Sequence, residues 1–170
     1  FELIIKDGGE PIFDILPKDN RIKYIWGKDK GITDAMNQAI KISTGDIFNW
    51  CNDDDLMAEG TLKFVAENIF DNKWLYGKIK MTNGSEMGKD FDMSEMLVRN
   101  IIPQPSVFWT REALDKIGLM SEQEDLVSDY EYWLRLATNF KPLFVDRIMA
   151  NYRIHPDQIT SKIPQEQLSQ

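Results

Sequence analysis

A chain of 170 residues with 42% hydrophobic and 28% charged side chains has the composition of one ordinary globular domain, long enough to bury a core. Its formal charge of −8 argues against a nucleic-acid backbone as main partner, because phosphate binding runs on clustered Lys and Arg; an anionic substrate would need a cation as bridge. The single cysteine, Cys51, excludes an internal disulfide framework and suits a reducing compartment, and no apolar run approaches the roughly 18 residues of a membrane span, so the sequence reads as soluble and cytoplasmic.

Phe1 to Lys6 predicts a first strand ending in an acid, Asp7, and a Gly8-Gly9 turn. Ile22 to Trp26 reads as a second short strand, followed by a polar loop from Gly27 to Gly31. Ile32, Ala35, Met36, Ala39 and Ile40 recur at helical spacing across Ile32 to Ser43, with Thr33 or Asp34 near the N-cap and Gly45 placed to close the helix. Ile47, Phe48, Trp50 and Cys51 form a run too short for a helix and suited to a buried strand. Helical spacing returns at Leu62, Val65, Ala66, Ile69 and Phe70, and Trp74 to Met81 reads as a strand interrupted by Gly77. This alternation predicts an α/β fold with a mainly parallel sheet.

The polar, aperiodic stretch from Thr82 to Asn100 predicts a mobile loop over one sheet edge, where substrate is met. Ile102 to Thr110 reads as a rigid Pro-flanked turn leading into a short strand, and Arg111 to Ile117 as a helix stopped by Gly118. After the acidic stretch Glu122 to Asp129, a helix is expected from Tyr130 to Asn139, with Ser128 and Glu131 as its capping box and Asp129 as an exposed acid. Pro142 to Val145 and Ile148 to Arg153 are the last predicted strands, before a polar tail.

Asp53, Asp54 and Asp55 follow directly on the apolar run at Ile47 to Cys51, at the carboxyl end of a strand, where ligands of open α/β sheets bind. Three adjacent carboxylates repel one another, and hard oxygen donors are what Mg²⁺ or Mn²⁺ prefers, with phosphate oxygens completing the shell. The plain alternative is a solvated acidic turn that caps the next helix. An EF-hand fails on spacing, since the sixth residue counted from Asp53 is Ala58 rather than Gly. An aspartyl-phosphate phosphatase stays as a weaker alternative, with Met57 where its motif has Thr or Val.

Taken together, Asp7-Gly-Gly, Gly31-Ile-Thr-Asp-Ala-Met-Asn37, Thr44-Gly-Asp, Asn52-Asp-Asp-Asp55, Pro103-Gln-Pro-Ser106, Asp129-Tyr-Glu-Tyr-Trp-Leu-Arg135 and Tyr152-Arg-Ile-His-Pro-Asp-Gln-Ile-Thr160 resemble, in that order, the family 2 glycosyltransferases with the GT-A nucleotide-sugar fold. The resemblance implies inverting transfer of a sugar from a nucleoside diphosphate, UDP above all, to a saccharide or lipid-linked acceptor in bacterial polysaccharide synthesis. Asp7 then corresponds to the acid that contacts the nucleotide base, with Gly8, Asp34, Asn37, Asp53 and Asp54 in the donor-binding set. Asp55 corresponds to the leading metal ligand, with Asp53 and His155 as the other metal candidates, and Asp129 to the catalytic base.

Two departures stand out: Glu10-Pro11 follows the glycines where the family has Ser and a second Asp, and the family pattern starts one strand and helix before Phe1. That missing unit implies an open, apolar groove beside the first strand, filled by residues outside this sequence, by a partner chain or by a second copy, or else a fragment that folds but is deficient in nucleotide binding. The resemblance places one domain at 1–160, with a nucleotide and metal half at 1–81 and an acceptor half at 82–160, then a tail at 161–170. It leaves room for self-association and for peripheral contact with the inner face of a membrane. A nucleotidyltransferase of related fold, or an inert nucleotide-sugar or glycan-binding fragment, is the alternative.

Overall fold

The computed structural model describes residues 1–123 and 127–158; the end of the last motif, the 161–170 tail and part of the acidic stretch before Asp129 lie outside them. Strands β1 (Leu3–Asp7) and β2 (Ile22–Trp26) pair in parallel as a small sheet of their own. Helix α1 (Ile32–Ile42) follows, then β3 (Ile47–Asn49), β4 (Leu56–Met57), α2 (Thr61–Asn68) and β5 (Trp74–Met81). The second half holds β6 (Glu86–Met87), α3 (Met93–Met96), a 3₁₀ turn at Gln104–Ser106, β7 (Phe108–Thr110), α4 (Arg111–Ile117), α5 (Ser128–Asn139) and β8 (Leu143–Tyr152).

The larger sheet runs β3-β7-β5-β8-β4, with β6 added to β5. It is mixed, which corrects the mainly parallel expectation. β5 and β8 are parallel, whereas β7 lies antiparallel to both β3 and β5 and β4 antiparallel to β8. The reversal is made at the turn over Thr82 to Ser85, where β5 doubles back as the antiparallel β6, and β7 lies on β5 in that same direction.

Side-chain alternation along the strands builds two cores. Trp74, Tyr76 and Trp109 point to the face covered by α1, α4 and α5, where they join Tyr132, Trp133 and Leu136. Leu75 and Phe108 point to the other face and meet Val65 of α2 and Ile69 at its C-terminal end, with Met149. A central sheet with helices on both faces is the α/β architecture that the alternation of elements implies.

Several local expectations change. α1 has Thr33 and Asp34 in its first turn, next to an N-cap Gly31 in the left-handed half of φ space, but closes at Ser43, whose hydroxyl donates to Ile40 O, rather than at Gly45. Gly77 does not interrupt β5. There β8 bulges, and a Cβ on Gly77 would sit 2.5 Å from Met149 Sδ and 2.7 Å from the Arg147 carbonyl oxygen, so the strands meet only because the side chain is missing. The same bulge explains why the polar pair Asp146-Arg147 reads as a gap between two strands, when β8 runs unbroken from Leu143 to Tyr152. The stretch 82–100 is structured, with β6 hydrogen-bonded to β5 and α3 capped by Asp92, whose side chain accepts from the N–H groups of Ser94 and Glu95; Met96 and Phe91 enter the core. α5 begins at Ser128, so Ser128 lies in the first turn rather than at the cap, and Glu131 turns to Arg135 in a two-pronged pair instead of closing a capping box.

Candidate functional site

β3 ends at Asn49, and the chain then leaves the sheet in a turn over Asn52 to Asp55 before returning as β4. The 3₁₀ turn is the shelf on which this acidic turn rests. Asn49 donates through Nδ2 to Val107 O at 2.9 Å and Pro105 O at 3.2 Å; Gln104 donates to Trp50 O and accepts from Asn52 Nδ2 at 3.0 Å. Asn52 in turn reaches Asp55 Oδ2 at 3.4 Å, while Asp55 Oδ1 accepts the Arg153 N–H at 3.1 Å.

Asp55 is 5% exposed. Burial pushes its pKa above the ordinary carboxylate value and the charges of Asp54 and Asp53 push it further, against the pull of the Arg153 N–H and the Asn52 amide. Asp54 is half-buried and contacts His155 Nε2 at 2.9 Å, and Asp53 is exposed. The segment after β8 is thus fastened to the acidic turn twice, by Arg153 and by His155. Among the described residues no three acidic, His or Cys side chains converge into a cage for an ion. The donor set nevertheless fits a hard divalent cation, because such ions are commonly held by one or two carboxylates and completed by phosphate oxygens, and because burial beside two like charges disfavours the Asp55 carboxylate until a cation offsets them.

Asp129 lies in the first turn of α5, half-buried rather than exposed as expected. Its Oδ1 accepts the Tyr130 N–H at 2.7 Å and its Oδ2 faces Asn100 Nδ2 at 3.4 Å. Burial raises its pKa, and these donors oppose the rise. The stretch from Asn100 to Ser106 therefore touches both the acidic turn, through Gln104, and Asp129, through Asn100.

The remaining predicted residues stand on other elements. Asp7 ends β1 with one carboxylate oxygen accepting the Gly9 N–H at 2.8 Å and the other the Tyr24 hydroxyl at 2.6 Å; the hydroxyl, then the N–H, hold its pKa below the ordinary value. Gly8 packs so closely that a Cβ there would meet Asp29 Oδ2 at 2.5 Å. Asp34 accepts from the Lys30 N–H and from Gln38, both at 3.0 Å, and braces the loop before α1. Asn37 corrects its expected role: it is 2% exposed, its Nδ2 donating to Met120 O and its Oδ1 accepting the Met120 N–H, so it joins α1 to the chain after α4 instead of facing a ligand. Two shallow depressions of about 190 and 280 Å³ share Arg111 near α4 and contain none of the predicted site residues.

Sequence reasoning did not single out Asn52, Gln104 or Asn100. The first two lie inside quoted motifs, and their carboxamides, next to Asp53 and between two prolines, were the available signal. Asn100 carried none, because its role depends on the turn of the chain at Ile101 and Ile102.

The fold is an α/β domain with helices on both faces of a mixed sheet, an acidic turn at a strand's end and a half-buried acid in the first turn of α5. The family described as Glycosyl transferase family 2 matches residues 3–106, more than half of the chain, and the protein belongs to that family. A "PGL/p-HBAD biosynthesis glycosyltransferase" of Mycobacterium bovis is 27% identical over 161 residues, covering 88% of this chain; an "Uncharacterized glycosyltransferase" of Rickettsia bellii is 24% identical, covering 95%. The chain spans 62% of the mycobacterial relative and 26% of the rickettsial one. Among solved structures, S. aureus TarS 1–349 in complex with UDP-GlcNAc superposes with a TM-score of 0.64 at 16% identity, over 85% of this chain and 46% of that one; its complex with UDP gives 0.60 at 19%, over 81% and 45%. At such identity the likeness is one of fold, and it establishes the GT-A-like architecture. No helix among the described residues is long and apolar enough to cross a membrane.

Proposed function

We propose that this domain transfers a sugar from a UDP-sugar to an acceptor hydroxyl with inversion at the anomeric carbon, using Asp53 to Asp55 and His155 on the diphosphate side and Asp129 as general base. The carrying observation is the buried Asp55, its charge disfavoured by burial and by its two acidic neighbours while its geometry is fixed by Asn52 and Arg153. Such a carboxylate is costly unless a cation shares the site. When bound, Mn²⁺ or Mg²⁺ supplies the positive charge that a departing diphosphate needs. Asp55 and Asp54 would hold it, with Asp53 at the exposed edge and His155 orienting Asp54.

Asp7, kept ionised by Tyr24 and Gly9, accepts an N–H from the base of the donor. Asp129 takes the proton of the acceptor hydroxyl as that oxygen attacks the anomeric carbon from the face opposite the leaving diphosphate. Its raised pKa brings it nearer to working pH than an ordinary carboxylate, which suits a proton acceptor. A carboxylate that acts as proton acceptor and not as nucleophile corresponds to one displacement and hence to inversion.

UDP-GlcNAc is the donor to test first, since TarS is seen with it. Incubation with UDP-sugars, Mn²⁺ and a panel of saccharide and lipid-linked acceptors should release UDP in step with glycoside formation. Pyrophosphate release from a nucleoside triphosphate would point to nucleotidyl transfer instead, and binding of UDP without turnover would reduce the role to recognition.

A further inference from the structure

We propose that Asn100 is a positioning residue for Asp129, fixing the direction in which the carboxylate faces the acceptor. The inference rests on the reading of Asp129 as the base. Asn100 is itself locked: its Oδ1 accepts the Ile102 N–H at 3.0 Å, and Ile101 and Ile102 are buried in the aromatic core, so the amide nitrogen is left to face Asp129 Oδ2 at 3.4 Å. From the other side, the Tyr130 N–H takes Asp129 Oδ1 at 2.7 Å, and the Tyr130 hydroxyl donates to Met96 O, tying the start of α5 to the end of α3.

Both carboxylate oxygens therefore have a donor, one from the helix and one from the segment after α3, and the group has one orientation rather than a rotating pair of oxygens. A carboxylate held in this way keeps a lone pair aimed at one place, which is the requirement for proton transfer in a fixed geometry. The donors also favour the ionised form, against burial. Charged side chains of the described residues do not figure in that balance; Glu131, in the same turn of α5, is engaged by Arg135. A purely structural Asn100 would serve the Ile102 turn and leave Asp129 indifferent to its amide nitrogen.

The test is a carboxyl-carbon NMR titration of the full chain labelled at aspartate, with Asp129→Asn identifying the resonance by its loss. Asn100→Ala should titrate Asp129 at higher pH than the wild type. Asn100→Asp, which keeps the oxygen that caps Ile102 and so guards against a variant that fails to fold, should titrate it higher still, because an acid replaces the donor. With UDP-GlcNAc and Mn²⁺, UDP release by Asn100→Ala should fall about tenfold in kcat, the scale of one lost hydrogen bond, with the donor KM unchanged and the acid limb moved upward. An Asp129 titration identical in all three proteins overturns the inference. Full turnover by Asp129→Asn instead overturns the base reading, whatever the titration shows.

Discussion

Two carboxylates, Asp55 and Asp129, carry the cost of this fold at the level of single residues. Each is held where burial raises its pKa above the ordinary value, so the ionised form is disfavoured in the folded state. Where the folded pKa is raised, the group's contribution to stability is present at low pH and is lost as pH rises through the folded pKa. At neutral pH these acids are net liabilities, retained for what they bind or take up. Asp129→Asn should accordingly melt at a higher temperature than the wild type at pH 7 and lose the advantage near pH 3, while UDP release falls by about 10² to 10⁴. Melting curves at both pH values, with turnover on the same samples, check this; a variant that is both less stable and fully active contradicts it.

At the level of elements, Glu2, just before β1, adds a polar clasp to the packing of β1 on α1. The Glu2 carboxylate accepts from the Thr44 N–H at 2.6 Å and the Gly45 N–H at 2.8 Å, and pairs with Lys23 at 2.6 Å, so it clips the small sheet to the link between α1 and β3. Lys23 first, then those N–H groups, lower its pKa from the ordinary 4.5 to about 2. A depressed carboxyl contributes stability above its unfolded pKa and loses it as pH falls through its folded one, here between about 4.5 and 2. Glu2→Gln should cost about 1–2 kcal/mol at pH 7 and flatten the decline of stability across that window, as measured by urea midpoints from pH 2 to 7. Gly77 is the second such joint. Gly77→Ala should cost about 1–3 kcal/mol through overpacking against Met149 and the Arg147 carbonyl, and Met149→Ala should not restore the loss, because the backbone oxygen stays in place.

For the molecule as a whole, the acidic turn is held by β3 directly before it and by two distant parts of the chain, the 3₁₀ turn at Gln104–Ser106 and the segment after β8 that brings Arg153 and His155. A ligand gripping this turn stabilises all three. UDP with Mn²⁺ at about a hundred times its Kd should add about 2.7 kcal/mol, and hence raise the melting temperature by about 5–10 °C for a domain of this size. Asp55→Ala should abolish the Mn²⁺-dependent part of that shift. An intact shift in the variant would place the ion elsewhere.

Short, strongly patterned pieces were legible in the sequence because their cause is local. Ile22 to Trp26, Trp74 to Met81 and Arg111 to Ile117 have the bounds expected of them, since side-chain period and a stopping Gly118 act over a few residues. The acidic turn after a buried strand and the motifs of the family were equally visible. What the sequence left undecided depends on contacts far along the chain. The antiparallel return of β7, the bulge that makes Gly77 obligatory and the capture of Phe91 and Met96 by the core arise only when distant segments meet. Asn37 looked like a ligand-binding residue until Met120, 83 positions away, took both ends of its amide. Asp129 read as exposed because its cover comes from tertiary packing, not from its neighbours in the helix. Sequence by itself determined which residues carry charge and where the strongly patterned strands and helices lie; tertiary structure decided which of those charges are buried, and burial sets the cost of a carboxylate.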